Sequence, residues 1–162
     1  METGQLTKTD IIQSLKQSIR ELEELVLTCD VDSFKQAMGE SKWSIQQIIG
    51  HLYDTEEVWS KRIEQVILRD DTVFQSYDPE MYVKERAYEL YTMEELKALI
   101  NRFKERRSDT LQLLEQGIWD QSGMHPEEGI MTVQMLAETI ALHEQHHLSQ
   151  IKTILSKNAT ST

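Results

Sequence analysis

The chain carries one cysteine, two prolines and six glycines in 162 residues. A lone Cys29 excludes an internal disulfide. It follows Leu25, Val26 and Leu27 with no His or Lys close in sequence to activate it, so it reads as a small core residue. The few prolines and glycines are clustered, and residues 5–38, 51–78, 80–116 and 130–162 contain neither, which leaves room for four long helices. Basic residues are scarce as well: 17 Lys and Arg stand against 28 Asp and Glu, a formal charge of -11. A field of that sign repels phosphate backbones and anionic lipid, so neither nucleic acid nor membrane is an expected partner. No apolar run approaches the roughly 20 residues of a membrane span. The polar start Met1-Glu2-Thr3-Gly4-Gln5 has no signal segment behind it, and the expectation is a cytoplasmic protein. With 39% hydrophobic residues the chain can bury a core, and its length suits one domain over residues 1–162.

What is present is a repeated helix start. An apolar residue precedes a Ser or Thr cap, and a second apolar residue follows four positions after the cap, in Leu6-Thr7 with Ile11, Trp43-Ser44 with Ile48, Tyr91-Thr92 with Leu96 and Met131-Thr132 with Leu136. Three of these also place Asp10, Gln47 or Glu95 where a side chain can bond back to the cap. The apolar spacing within each segment follows 3.6, as in Ile12-Leu15-Ile19-Leu22 and Leu96-Leu99-Ile100-Phe103, and no segment reads as a strand. The predicted fold is all-α, a four-helix bundle. Links between helices one and two and between three and four are short, whereas about twenty residues, Asp70 to Tyr91, separate helices two and three. Extended at about 3.3 Å per residue, that crossover spans the roughly 38 Å of a 25-residue helix, so helices two and three run parallel and the order is up-down-down-up. Its aromatics (Phe74, Tyr77, Tyr82, Tyr88, Tyr91) are expected to cover one end of the bundle. The run Lys104-Glu105-Arg106-Arg107 reads as the solvated face of helix three.

The chemistry concentrates in His143-Glu144-Gln145-His146-His147 on helix four. At 100° per residue His143 and His147 lie about 40° apart, in the sector of Leu136, Ile140 and Ile154, and face the interior, while His146 sits at its margin. Two inward imidazoles leave four ring nitrogens to satisfy, which a divalent metal does economically. The segment also matches H-E-x-x-H, with Glu144 as a candidate acid/base, but the downstream ligands and the sheet of zinc proteases are missing. A di-iron bundle would need a second Glu-x-x-His, and there is none. A third ligand comes from His51 or His125. His51 lies at the edge of the buried face of helix two, after Gly50, and can turn inward. His125, before Pro126 in a Gly-containing loop, suits a turn. Asp54, one turn on from His51, could orient an imidazole from behind. Imidazole donors suit zinc, nickel or ferrous iron, and three of them leave coordination positions open for water or substrate.

Taken together, Lys42-Trp43-Ser44-Ile45 leading to His51-Leu52-x-Asp54, then His125-Pro126, Gly129-x-Met131-Thr132 and His143-x-x-x-His147-Leu148-x-Gln150-Ile151 resemble the DinB/YfiT-like superfamily, in particular its metal-dependent hydrolase branch. The resemblance covers nearly the whole chain. It implies a four-helix bundle, commonly a homodimer, with a divalent metal on His51, His143 and His147 and a structural His125. It further implies an enzyme in which the metal activates water or a low-molecular-weight thiol, such as bacillithiol, for attack on a small electrophilic substrate, as hydrolase or S-transferase. A non-catalytic metal- or small-molecule-binding bundle is the alternative.

Overall fold

Thr7 opens the first helix with a reciprocal box: its backbone N–H donates to Asp10 and its hydroxyl accepts from the Asp10 N–H. Helix α1 (Lys8–Thr28) follows. Ser44 with Gln47 and Thr92 with Glu95 repeat the device and begin α2 (Ile45–Arg69) and α4 (Met93–Gln116). The Thr132 hydroxyl accepts from Met135 N–H at the start of α5 (Val133–Thr160). All four predicted starts are therefore where the local capping chemistry puts them. These elements come from a computed structural model that describes residues 6–69, 72–117 and 119–160. Met1–Gln5, the Asp70–Asp71 start of the crossover and the last residues of the tail lie outside that set. Among the described residues no helix is long and apolar enough to cross a membrane.

Cross-helix contacts give the directions. From α2 to α4 the pairs Tyr53–Phe103, Glu56–Arg107 and Ser60–Thr110 rise together, so these helices are parallel. From α1 to α5, Ser14–Gln145 and Glu21–Lys152 also rise together. Leu15 and Glu23 of α1 instead meet Arg107 and Lys104 of α4 in falling order, which makes that pair antiparallel. The bundle is up-down-down-up. Its core has two apolar clusters, one centred on Leu22, Ile48, Leu52, Phe103 and Ile151, the other on Ile11, Ile63, Leu114, Leu136 and Ile140. Half-buried Cys29 packs at the rim of the first.

Two elements differ from expectation. The first is the path of the crossover among its described residues. It runs back along the flank of α2, with Phe74 in the second core cluster and Tyr88 in the first. On the way it forms α3 (Pro79–Arg86), which Asp78 caps and Pro79 starts. The other is a hairpin where no strand was predicted, β1 (Ser122–His125) antiparallel to β2 (Gly129–Thr132). Ser-Gly-Met-His and Gly-Ile-Met-Thr are at the short limit of a readable strand, and the second sets Ile130 beside Met131 instead of alternating apolar with polar. Gly129 supplies the positive φ, 80°, that closes the turn.

Gly50 is where α2 and the crossover come closest. A Cβ there would lie 2.1–2.4 Å from three atoms of the Tyr88 ring. The ring has little freedom to retreat, because the Tyr88 hydroxyl donates to Asp54 at 2.5 Å. Gly50→Ala gains helix propensity of about 1 kcal/mol and loses more to overpacking. With an overpacking cost toward the upper end of the usual range of about 1–3 kcal/mol, the expected net result is destabilisation of about 1–2 kcal/mol by urea denaturation. A variant as stable as the parent would contradict this close approach.

Candidate metal centre

Helix α2 brings His51 against His143 and His147 of α5, which are one turn apart on the same face. One ligand atom from each residue can be chosen so that all three lie within 4.8 Å of one another. The Nε2 atoms of His51 and His143 are 3.0 Å apart. His147 is oriented from behind, since its Nδ1 bonds the Gln150 Oε1 at 2.8 Å, leaving Nε2 as the nitrogen it offers to the centre. Trp43, just before α2, lays its ring 4.8 Å from that of His51 and walls the site on that side. His51 is buried and the α5 pair half-buried.

Burial keeps these rings neutral. It pushes His51 down to about 3, with His143 and His147 adding repulsion, and His143 down to about 4, with repulsion from His147 and His146. His147 is lowered by burial as well. A lowered histidine value means that the lone pairs stay available in acid that would protonate free imidazole at about 6.5. In metal-free protein at pH 5.5, where free imidazole is roughly nine-tenths protonated, the ring resonances of His51 and His143 are expected still to be those of neutral imidazole by NMR. Titration of both near 6.5 would contradict the burial.

These residues fit a divalent cation. Metal–nitrogen bonds of about 2.0–2.1 Å in tetrahedral geometry separate the nitrogens by roughly 3.4 Å, a spacing that small side-chain adjustments reach. Without a cation, the two buried, facing Nε2 atoms can be satisfied only if one of them carries a proton and donates it to the other, which fixes opposite tautomers on the two rings. Such an arrangement is costly for imidazoles that serve packing alone.

The other candidates go elsewhere. Asp54 does not orient an imidazole. Three residues past His51 it turns toward the crossover, where it accepts from Tyr88 and, at 2.7 Å, from Arg86. Burial pushes this carboxyl up to about 6, against the opposing pull of its Tyr88 and Arg86 partners. Glu144 does not face the imidazoles either: its carboxylate is ion-paired with Arg107 in the core. His125 stands outside the cluster and closes the hairpin turn, its Nδ1 accepting from the N–H groups of Glu127 and Glu128 at 3.0 Å each. His146 is exposed. Sequence reasoning assigned no role at the site to Trp43 or Gln150, although Gln150 stands three residues after His147, within reach on the same helix face.

Residues 14–151 match the DinB superfamily. The chain belongs to that superfamily. A protein of Oceanobacillus iheyensis named "Putative metal-dependent hydrolase" is 26% identical over 159 residues that cover 96% of this chain and 91% of the relative. A protein of the same name from Halalkalibacterium halodurans is 25% identical over 134 residues, 83% of this chain and 78% of the relative. Of solved structures, YfiT from Bacillus subtilis, described as having an unusual four-helix bundle topology, superposes with a TM-score of 0.81 at 18% identity, covering 99% and 93% of the two chains. A mycothiol-dependent maleylpyruvate isomerase superposes with a TM-score of 0.73 at 13% identity, over 93% of this chain and 63% of the isomerase. This DinB chain thus shares the bundle fold with both.

Proposed function

We propose that this DinB protein is a metal-dependent enzyme in which His51, His143 and His147 hold a divalent cation, zinc, nickel or ferrous iron, that acts on a small electrophilic substrate. The observation that carries the reading is the convergence of three neutral imidazoles at the middle of the bundle. When bound, the cation supplies Lewis acidity, lowering the pKa of a water or thiol to near neutral and polarising the substrate. The protein's own part is positional. Gln150 holds the His147 tautomer, burial keeps all three rings unprotonated, and Trp43 excludes solvent from one side of His51. Three protein ligands leave coordination positions open, the arrangement of catalytic rather than closed sites. The names of the curated relatives favour water as the attacking group. The thiol-dependent isomerase on the same fold favours a low-molecular-weight thiol, and with it an S-transferase.

The test is metal content of untagged protein by plasma mass spectrometry, followed by turnover of the metal-loaded protein on thiols plus electrophiles and on an ester and amide panel. Near-stoichiometric metal with metal-dependent turnover in either arm is expected, and the active arm chooses between thiol and water. Stoichiometric metal without turnover in either arm would make the protein a non-catalytic metal-binding bundle.

A further inference from the structure

Between the two apolar clusters lies a polar layer to which every bundle helix contributes. Arg107 of α4, 1% exposed, donates from Nε and Nη2 to the two carboxylate oxygens of Glu56 on α2, at 3.1 and 2.7 Å. Nη2 also pairs with Glu144 on α5, and Nη1 donates to the backbone carbonyl of Leu15 on α1 at 2.6 Å. Thr110 donates to the same Glu56 carboxylate at 2.6 Å. Glu56 is fully buried and Glu144 is 1% exposed. One guanidinium thus bonds the other three helices at once.

The two carboxylates stand on the helices that bring the imidazoles together. Glu144 is the neighbour of His143, and Glu56 lies five residues beyond His51. We infer that Arg107 is a positioning residue for the three-imidazole site, setting the rotation and register of α5 against α2 through Glu144 and Glu56. Apolar contacts are non-directional and tolerate a helix turning or sliding by a fraction of an ångström, whereas metal–ligand distances tolerate about 0.2 Å. A forked guanidinium on two carboxylates is directional in both distance and angle. Because Glu144 points about 100° around the helix from His143, a rotation of α5 that carried His143 off its line to His51 would also pull Glu144 off the guanidinium. Stability alone gives little reason for the cluster, since buried ion triads are commonly replaceable by apolar side chains of similar volume without loss. All three guanidinium nitrogens are engaged within the core, so Arg107 touches no substrate and acts only through the helices.

This inference rests on the metal reading above. Its test is Co2+ binding, with Kd from chelator competition and site geometry from the ligand-field absorption spectrum, in the parent, in Glu56→Gln/Arg107→Met/Glu144→Gln and in Leu114→Ala. The triple variant removes the buried charges and is expected to fold, to bind Co2+ about 10–100-fold more weakly and to show a changed spectrum. Leu114→Ala, in the second apolar cluster, is expected to lose stability while keeping the parent Kd and spectrum. If the triple variant fails to fold, Arg107→Lys, which keeps the charge but lacks the fork, is expected to show the same weakening. A folded triple variant, or in its absence Arg107→Lys, with parental Kd and spectrum overturns the positioning role and leaves the metal site standing. Absence of Co2+ binding by the parent overturns both.

Discussion

His51→Ala is expected to lose bound metal while keeping the fold. The roughly 10–16 kcal/mol with which structural zinc sites bind their ion, shared among four ligands, puts one imidazole at about 2.5–4 kcal/mol, or about two to three decades in Kd. Copurified metal should fall from near-stoichiometric to background by mass spectrometry. The chelator-induced drop in melting temperature should vanish with it, because a ligand stabilises only in proportion to ln(1 + [L]/Kd). His147→Ala should behave alike. His125→Ala is the contrast: it should keep its metal, since His125 closes a hairpin turn away from the cluster. Full metal occupancy in His51→Ala would remove this residue from the site.

Arg107→Met is expected to cost the most stability of any single change considered. It strands Glu56 and Glu144 in the core, and removing one partner of a buried ion cluster typically costs about 3–5 kcal/mol, a large share of a domain's total of roughly 5–15. The pH dependence has a definite sign. Burial already raises the Glu144 carboxyl while Arg107 opposes the rise, so its folded value lies above the unfolded one of about 4.3. Loss of the guanidinium raises it further. A carboxyl raised on folding destabilises above its folded pKa and is relieved as pH falls through that value toward the unfolded one. The gap in urea midpoints between variant and parent should therefore widen as pH rises above about 7, the parent's folded value, and narrow below it. A gap that is constant with pH would mean that the carboxylates are not stranded.

Arg107 also shows where local reading stops. In sequence it ends Lys104-Glu105-Arg106-Arg107, which has the character of a solvated helix face, and nothing in that run sets Arg107 apart from its neighbours. Its burial depends on Glu56 and Glu144, 51 and 37 residues away. Glu144 is the converse case. Its place in H-E-x-x-H suggested chemistry at the metal, yet a position 100° around the helix from His143 sends it to a different neighbour. Asp54 likewise answers to Arg86 and Tyr88 of the crossover, a segment whose path along α2 no local pattern encodes.

The sequence by itself determined the four long helices, their caps, the up-down-down-up order and the inward stripe with His143 and His147, because capping and 3.6-residue periodicity act within a turn or two of the chain. It also singled out His51 as an inward candidate. Only the tertiary structure decided which imidazoles meet, that Gln150 and Trp43 attend them, that the crossover flanks α2, and that one arginine joins the other three helices in the core. Those are contacts across dozens of residues, where a buried charge is tolerated only if the fold delivers its partner.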